Sequence, residues 1–215
     1  MVPRRTVRAV DRALAKRYGE RHWDGPGDPV GGLIATILSQ STTYLNYGPA
    51  FESLLARFSS WDELADAPVD EIADAIRSGG LADQKAARIK DILLRLREER
   101  GEVTLDFLAD LPPEEATRYL TSFKGVGPKT AACVLMFDLG IQVFPVDTHV
   151  FRITGRLGWL PDRATPESAH AVLEPLIPPE LRYQLHVNLI AHGRALCRPQ
   201  RPECGECPIR RWCGY

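Results

Sequence analysis

Long apolar segments are missing from this 215-residue sequence. No window approaches the roughly 18 consecutive apolar residues that a membrane-spanning helix needs, so we expect no transmembrane helix and no membrane partner. Residues 1–22 are rich in arginine and lack the apolar core of a signal peptide. Apolar side chains recur there at helical spacing, which predicts an amphipathic helix. These side chains are Val7, Val10, Leu14 and Tyr18. The sequence therefore predicts a cytoplasmic protein.

Strand patterns, internal repeats and low-complexity linkers are also missing, which excludes a repeat array or segments joined by a long linker. Apolar residues instead recur at helical spacing between short turns that contain Gly, Pro or Asp. Pro49 and Pro166 are predicted at first helical positions, with Thr165 as the N-cap before Pro166. The pattern predicts an all-α fold of about ten helices. Their segments are 1–22, 31–40, 49–58, 69–78, 84–101, 112–123, 127–137, 147–158, 165–177 and 180–197.

The net charge of −1 conceals a strong asymmetry along the chain. Residues 1–22 contain seven Lys or Arg and two acidic residues, and residues 194–211 contain five Arg and two acidic residues. Residues 51–119 contain sixteen acidic residues against nine basic ones. Solvated faces would account for such runs, but two basic chain ends that meet in space would also face a polyanion. The distribution therefore makes a nucleic acid one candidate partner.

Cysteine is rare, and four of the five cysteines lie within seventeen residues. Their spacing is C-x6-C-x2-C-x5-C, formed by Cys197, Cys204, Cys207 and Cys213. Zinc sites usually have two C-x2-C pairs and only one is present, so the spacing favours an iron–sulfur cluster over zinc and over disulfides. The loop between the first two cysteines carries Arg198 and Arg201, which could meet phosphates. The fifth cysteine, Cys133, is expected to be a small buried residue of an apolar helix.

The segment "LTSFKGVGPKTAACVL", residues 120–135, predicts a helix, a tight glycine turn and a second helix. Gly125 and Gly127 permit close backbone approach, and Pro128 presets the backbone for a first helical turn. The N–H groups of such a turn form an anion site for which a DNA phosphate is a candidate, although an ordinary helical hairpin has the same pattern. Lys129 then lies at the positive end of the helix dipole, which is unfavourable for a cation.

Asp147 precedes another helical segment in "VFPVDTHVFR", residues 143–152. N-capping alone explains an aspartate in this position and contributes about 1 kcal/mol. The local sequence pattern is therefore explained without a catalytic role for Asp147. A catalytic role for it depends on several motifs taken together.

Those motifs occur in a fixed order: "KGVGPKTA", then "PVDTHVFR" with Asp147 eighteen positions after Lys129, then the four cysteines. With "ILSQST" and "SGGLADQKAARI", they resemble the endonuclease III family of helix-hairpin-helix DNA glycosylases. The resemblance extends from about Gly31 to Cys213.

The resemblance implies two α-helical domains with DNA in the cleft between them. Residues 25–136 would form a six-helix barrel that contains the helix-hairpin-helix. Residues 1–24 and 137–215 would form a second domain, in which the four C-terminal cysteines hold a [4Fe–4S] cluster. This organisation would bring the two basic chain ends together.

The resemblance also implies roles for individual residues. Lys129 would be the nucleophile and Asp147 its catalytic partner. The DNA contacts would be the hairpin residues Lys124, Gly125, Val126 and Gly127, and the gap-filling residues Gln40, Ser41 and Leu81. Lys124 stands where relatives usually have a proline, and Leu38, Ser39 and Thr43 depart from the usual flanks of the Gln40 motif. These departures leave lesion preference and opposite-base reading open.

The implied activity is that of a bifunctional DNA glycosylase and apurinic/apyrimidinic (AP) lyase that removes oxidised pyrimidines from duplex DNA. Lys129 would attack C1′ of the sugar as a neutral amine, which requires desolvation because an ordinary lysine is almost wholly protonated at pH 7. The expected partner is duplex DNA with a damaged base or an abasic site, bound by a nucleoid-associated monomer. Two alternatives stay open: a monofunctional glycosylase of the same superfamily, and a non-enzymatic, metal-stapled DNA-binding module.

Overall fold

A computed structural model describes residues 2–215 apart from the side chain of Tyr44, so Met1 lies outside the described residues. The regular elements of this described part of the chain are all helices. The prediction of an all-α fold is therefore confirmed. The chain divides into two compact units, one formed by Gly25–Ile141 and the other by Met1–Asp24 with Gln142–Tyr215.

Eleven α-helices occur in residues 2–215, and none of them is long and apolar enough to cross a membrane. The unit Gly25–Ile141 contains α2 (Pro29–Leu38), α3 (Tyr44–Arg57), α4 (Trp61–Asp66), α5 (Val69–Ala75), α6 (Ala82–Arg100), α7 (Pro113–Thr121) and α8 (Pro128–Phe137). The other unit contains α1 (Arg4–Tyr18), α9 (Thr148–Arg156), α10 (Pro166–Leu176) and α11 (Arg182–Ala195). Short 3-10 turns cover residues 77–79, 106–110, 179–181, 204–206 and 210–212.

In the unit Gly25–Ile141, α2 packs on α8, and α6 packs on α4 and α5. Asp28 caps α2, since one of its carboxylate oxygens accepts the N–H groups of Val30 and Gly31, each at 3.0 Å. The other oxygen accepts the indole N–H of Trp61 at 2.8 Å, which ties the start of α2 to α4. The buried side chains of α2 and α6 include Leu33, Ile34, Ile37, Leu38, Ile89, Ile92, Leu93 and Leu96.

In the other unit, α11 packs against both α1 and α9. Val7, Val10 and Leu14 are fully buried, which confirms the amphipathic helix predicted for this end. Arg17 Nη2 lies 3.7 Å from Glu206 Oε2, so α1 contacts the C-terminal segment. Both basic chain ends therefore belong to one unit, as their charge suggested.

One predicted helix boundary needs correction, and one helix was missed. Pro49 does not begin a helix, because α3 starts at Tyr44 and the Thr43 carbonyl already accepts the N–H groups of Asn46 and Tyr47. The proline is therefore the sixth residue of α3, where its ring costs one helical hydrogen bond. The helix α4 was not predicted, because its six residues are too few to show a helical period. By contrast, Thr165 caps α10 and Pro166 is its first residue, as predicted.

The boundary between the two units that follows α8 also differs from the predicted boundary. It lies after Ile141, whereas the sequence placed it after Met136. The Gly27 N–H donates to the Asp138 carbonyl at 2.9 Å, and the Ile141 N–H donates to the Leu135 carbonyl at 2.8 Å. These bonds hold residues 137–141 to the unit that contains α8.

The carboxyl group of Asp138 packs over the glycines that precede and begin α2. A Cβ atom on Gly32 would lie 2.0 Å from Asp138 Oδ2, so the carboxyl occupies the space that a side chain would need. Burial, and then the charge of Asp28, raises the pKa of Asp138 to about 6. The protonated form is therefore favoured in the fold, and the free energy of unfolding should fall as pH rises from about 4 to about 6.

We expect Asp138→Asn to raise the free energy of unfolding at pH 7 by about 1 kcal/mol after allowance for solvent screening. The gain should be much smaller near pH 4, because Asp138 is then protonated in the folded parent protein and only partly ionised in its unfolded state. Urea unfolding at pH 4, 5, 6 and 7 measures it, with Asp110→Asn at an exposed position as the control. The quantity compared is the difference in free energy of unfolding between variant and parent. If this difference were no larger at pH 7 than at pH 4, the assignment would be contradicted.

Candidate functional site

A tight turn of residues 122–127 joins α7 to α8. The Val126 N–H donates to the Phe123 carbonyl at 3.1 Å, and Gly125 adopts a φ of +81°, a conformation that favours glycine. The Val126 side chain is buried, whereas Lys124 and Gly127 are exposed. The predicted helix, glycine turn and second helix are therefore confirmed, and the turn displays its backbone to solvent.

Arg88 of α6 packs against Gly125, in space that a side chain at this position would occupy. A Cβ atom on Gly125 would lie 2.3 Å from the Arg88 guanidinium carbon. Arg88 Nη1 donates to Gln40 Oε1 at 2.8 Å, and Gln40 Nε2 donates to the Gly125 carbonyl at 3.2 Å. These contacts join α6, the segment after α2 and the hairpin turn within one unit.

The N–H groups of Gly125 and Gly127 donate no hydrogen bond within the described residues. Both precede the ten-residue helix α8, whose first turn has further N–H groups without helical partners. Free N–H groups at the positive end of a helix dipole attract an anion. The turn therefore has the geometry of a phosphate site.

Lys129 is the second residue of α8 and is half-buried. In the part of the chain that the structure describes, its amine forms no hydrogen bond and no ion pair. The neighbouring Thr130 is buried, with its hydroxyl 3.5 Å from Gln40 Nε2. Lys129 is thus a cation without a counter-charge among these residues, at the end of a helix that disfavours cations.

Three non-glycine residues of the described chain have a positive φ: Ser41 at +56°, Leu81 at +54° and Arg201 at +50°. All three are among the DNA contacts predicted from the sequence. Leu81 is 58% exposed, so burial does not explain a bulky residue in this conformation. Backbone strain of this kind concentrates at functional sites, where it costs of order 1–3 kcal/mol for each residue.

In the other unit, Asp147 caps α9 through Oδ1, which accepts the Val150 N–H at 2.7 Å. The predicted N-cap is therefore confirmed. Asp147 is half-buried, and its Oδ2 accepts no hydrogen bond from a described residue. One oxygen of this carboxylate holds the helix, and the other stays available to a partner.

The helix α9 also binds the start of the cysteine-rich segment. Arg152 Nη2 donates to the Cys197 carbonyl at 2.8 Å. Arg156 Nη1 donates to Cys197 Sγ at 3.2 Å and to the Arg198 carbonyl at 2.9 Å. A cation that donates to sulfur stabilises a thiolate, so Arg156 suits a cysteine that ligates a metal.

The four predicted ligands Cys197, Cys204, Cys207 and Cys213 line one cavity. The buried His192 also lines it, with Nε2 3.5 Å from Cys207 Sγ and Nδ1 2.9 Å from the Tyr18 hydroxyl. Burial lowers the pKa of His192 to about 4 and raises the pKa of Cys207, which the neighbouring cysteines raise further.

None of these cysteines forms a disulfide in residues 2–215, so the disulfide alternative receives no support. Within the same residues, no group of three or more His, Cys, Asp or Glu side chains is arranged to hold a single metal ion. Four thiols nevertheless surround one cavity, beside a guanidinium donor and an imidazole. Thiolates are ligands of both structural zinc sites and iron–sulfur clusters, so this lining is compatible with either centre.

The two arginines of the cysteine loop differ in their contacts. Arg198 is exposed and lies 3.3 Å from Glu203, which balances part of its charge. Arg201 is exposed, has a left-handed backbone and forms no ion pair with a described residue. Arg201 is therefore the better placed of the two for contact with an external anion.

Sequence reasoning missed several residues of these sites, namely Arg88, Arg152, Arg156, His192 and Lys85, whose amine donates to the carbonyls of Leu38 and Gly79. A signal existed for Lys85, since it lies four residues before Ile89 on the apolar stripe of α6. No local pattern marks the others, because their partners are distant in the sequence.

Comparison with known proteins gives a consistent set of similarities. Residues 34–179 match the family described as "HhH-GPD superfamily base excision DNA repair protein". The chain is 34% identical to Endonuclease III of Thermotoga maritima, over 97% of this chain and 92% of that protein. It also resembles the structure titled "Structure of a non-covalent Endonuclease III-DNA Complex", with a TM-score of 0.82, 27% identity and coverage of 100% of this chain and 96% of that one.

Plant proteins are also similar to this chain, but the chain spans less than two thirds of their length. The chain is 48% identical to the Arabidopsis thaliana protein named "Putative DNA glycosylase", over 76% of this chain and 56% of that protein. It spans 12% and 9% of the lengths of two further Arabidopsis thaliana proteins. These matches therefore concern a part of the plant proteins only.

The strain at Leu81 can be measured directly. We expect Leu81→Gly to raise the free energy of unfolding by about 0.5–1 kcal/mol, because relief of a left-handed backbone, about 1–2 kcal/mol, exceeds the entropic cost of glycine, about 0.5–1 kcal/mol. Leu81→Ala keeps the Cβ atom and should change the stability by less than about 0.5 kcal/mol. Urea unfolding compares them, and an equal gain in both variants would contradict backbone strain at this position.

Proposed function

We infer the function from membership of a family: this chain belongs to the endonuclease III family, within the HhH-GPD superfamily of base excision DNA repair proteins. We propose that it is a bifunctional DNA glycosylase and AP lyase that removes oxidised pyrimidines from duplex DNA. The proposed partner is a duplex with a damaged base or an abasic site, and the proposed form is a nucleoid-associated monomer.

The observation that carries this proposal is the position of Lys129. Lys129 is half-buried as a residue, its amine has no partner among the described residues, and it lies immediately after a turn with two free N–H groups. A purely structural lysine would gain by forming an ion pair or by pointing into solvent from the negative end of a helix. An amine beside a phosphate-binding turn is instead suited to attack a sugar of the bound strand.

The proposed reaction proceeds through a covalent bond to Lys129. Its nitrogen lone pair forms a bond to C1′, the glycosidic C1′–N bond breaks, and the base leaves with that electron pair and takes up a proton. Opening of the sugar ring gives a Schiff base between C1′ and the lysine nitrogen. Loss of a proton from C2′ then breaks the C3′–O3′ bond, which nicks the strand, and water releases the enzyme.

We propose that Asp147 accepts the proton of Lys129 and balances the positive charge that develops on the sugar. An anion favours the protonated amine, so Asp147 is not proposed to lower the pKa of a lysine. The carboxylate oxygen that does not cap α9 is the one available for this role.

The proposed DNA contacts fall into three groups. The hairpin turn binds a phosphate through the backbone of Gly125, Val126 and Gly127, and Lys124 adds a charge. Gln40, Ser41 and Leu81 fill the gap that a flipped nucleotide leaves. Arg198 and Arg201 meet the backbone elsewhere. The left-handed conformations of Ser41, Leu81 and Arg201 support these last two groups.

We propose that Cys197, Cys204, Cys207 and Cys213 hold a [4Fe–4S] cluster. Such a cluster, when bound, supplies a rigid anchor of four thiolates and a redox-active centre. The chain's own contribution is a donor to sulfur from Arg156 and a buried imidazole next to Cys207. These residues would hold the C-terminal segment against α9 and α11, which a segment of this length could not achieve through a core of its own.

Borohydride trapping tests the lyase. We expect the protein to form a covalent adduct with duplex DNA that contains an abasic site, and Lys129→Gln to reduce trapping by about a thousandfold or more, since the nucleophile is lost. Lys124→Gln is the matched control on the same turn. It should still trap, while the salt dependence of its duplex binding falls by about one phosphate contact. The chain has five lysines, so mass spectrometry can map the adduct.

Other outcomes separate the alternatives. An adduct on Lys124 would overturn the assignment of the nucleophile, and base release without trapping would identify a monofunctional glycosylase. Binding without either reaction would leave only a DNA-binding module. Asp147→Asn keeps an acceptor for the cap of α9 and should trap slowly with undiminished duplex affinity, whereas a marked loss of affinity would contradict its catalytic role.

The cluster predicts a coloured protein. Protein purified without oxygen should be yellow-brown and contain iron and acid-labile sulfide, and Cys204→Ala should lose both. Cys133→Ala, outside the proposed ligand set, should retain them. Colourless protein with one equivalent of zinc would contradict the cluster, and metal and sulfide analysis decides between the two.

A further inference from the structure

Lys85 is a buried lysine for which the proposed function has no role. Its side chain is 2% exposed, although it lies on the apolar stripe of α6 that continues through Ile89. Lys85 Nζ donates to the Leu38 carbonyl at 2.6 Å and to the Gly79 carbonyl at 3.1 Å. A buried cation therefore replaces the apolar residue that the stripe would ordinarily carry.

Burial of this amine is unfavourable by itself. Desolvation lowers the pKa of Lys85, and the nearby charge of Arg88 lowers it further. Two carbonyl acceptors offset part of this cost, and the Leu38 carbonyl belongs to the last turn of α2, at the negative end of its dipole. An apolar residue of similar size would avoid the cost, so stability alone is a poor explanation of Lys85.

The two carbonyls have a common feature. Leu38 ends α2 and lies two residues before Gln40, and Gly79 lies two residues before Leu81. Each acceptor is thus followed by a residue in a left-handed conformation, Ser41 in one segment and Leu81 in the other. One amine fixes the distance between the two chain segments proposed to enter the DNA gap.

A second contact from the same helix supports this arrangement. Arg88 lies three residues after Lys85, on the same side of α6. It donates to Gln40 Oε1 at 2.8 Å, and Gln40 donates to the Gly125 carbonyl. Within the first turns of α6, Arg88 therefore binds the side chain of Gln40, and Lys85 binds the backbone carbonyl two residues before Gln40.

We propose that Lys85 is a positioning residue that sets the spacing of the Gln40–Ser41 segment and Leu81, so that both enter the gap opposite a flipped nucleotide together. This inference rests on the proposed DNA repair function. It predicts that Lys85 affects the preference for a damaged duplex over an intact one more than it affects binding to DNA in general.

The same helix offers a matched control. Lys90 Nζ donates to the Ala67 carbonyl at 2.5 Å and lies 3.5 Å from the Asp66 carbonyl. Lys90 thus also joins α6 to two backbone carbonyls, but these belong to the last residue of α4 and the residue after it, for which no DNA contact is proposed. Replacement of either lysine removes hydrogen bonds from α6 to backbone carbonyls. Only replacement of Lys85 removes the contact that sets the distance between the gap-filling segments.

The experiment compares Lys85→Met with Lys90→Met. The affinity of each protein is measured for an intact duplex and for the same duplex with a tetrahydrofuran abasic analogue, which cannot react. We expect Lys85→Met to reduce the damaged-to-intact affinity ratio about tenfold or more, since misplacement of a site by about 1 Å has effects of this order. Lys90→Met should leave the ratio within about twofold.

A fluorescence measurement detects whether the gap in the duplex is filled. A 2-aminopurine placed opposite the abasic analogue should brighten when the parent protein or Lys90→Met binds, because the probe loses its stacking. Lys85→Met should brighten it less, at concentrations that saturate the duplex. Lys85→Arg keeps a charged donor and should recover part of the ratio. If Lys85→Met does not fold, Lys85→Gln and Lys90→Gln provide the same comparison with a polar side chain in both positions.

The outcomes distinguish this inference from the proposed function. Equal ratios in Lys85→Met and the parent, or equal losses in both methionine variants, would overturn the role of Lys85. If the parent protein still traps an abasic duplex in either case, the lyase proposal stands. A parent protein that neither traps nor prefers the abasic analogue would overturn both.

Discussion

The contact of Arg88 and Gln40 with Gly125 organises the candidate DNA-binding face of the unit Gly25–Ile141. It exists only because Gly125 has no side chain, since a Cβ atom would lie 2.3 Å from the Arg88 guanidinium carbon. The same glycine supplies the positive φ that the turn requires. One residue therefore meets a local demand of the turn and a tertiary demand of α6. The hairpin can present its N–H groups in a fixed direction because both demands are met together.

The two non-glycine residues of this unit with a left-handed backbone lie near hydrogen bonds from Lys85. Ser41 and Leu81 each cost of order 1–3 kcal/mol in backbone strain. Lys85 donates to a carbonyl three residues before Ser41 and to one two residues before Leu81. These bonds offset part of the cost of burying the amine, so they restrain the two segments without removing their strain. The strained residues are therefore held in place by tertiary contacts from α6.

Much of this fold follows from local sequence chemistry. The spacing of Val7, Val10 and Leu14 predicts α1, Asp147 predicts its cap, and the Gly-Val-Gly-Pro turn predicts the hairpin, because each signal acts within a few residues. Pro49 misleads because proline at a helix start is a preference, and α3 tolerates the loss of one hydrogen bond. The helix α4 escapes detection because its six residues form fewer than two helical turns.

The remaining parts of the sites depend on contacts between distant residues. Arg88 and Gln40 are 48 positions apart, and Arg156 and Cys197 are 41 positions apart, so no window of sequence contains either pair. Lys85 is an intermediate case. Its place on an apolar stripe is visible in the sequence, and a lysine there conflicts with the helix pattern. Such a conflict between local pattern and residue type is the signal that a distant partner exists.

In the other unit, the helix α9 likewise serves two purposes. Its first turn is held by Asp147, and its later turns carry Arg152 and Arg156, which bind the backbone and sulfur of Cys197. The cap that holds Asp147 and the arginines that bind Cys197 thus belong to one helix of nine residues. The position of the proposed catalytic aspartate and the attachment of the cysteine segment therefore depend on the same element.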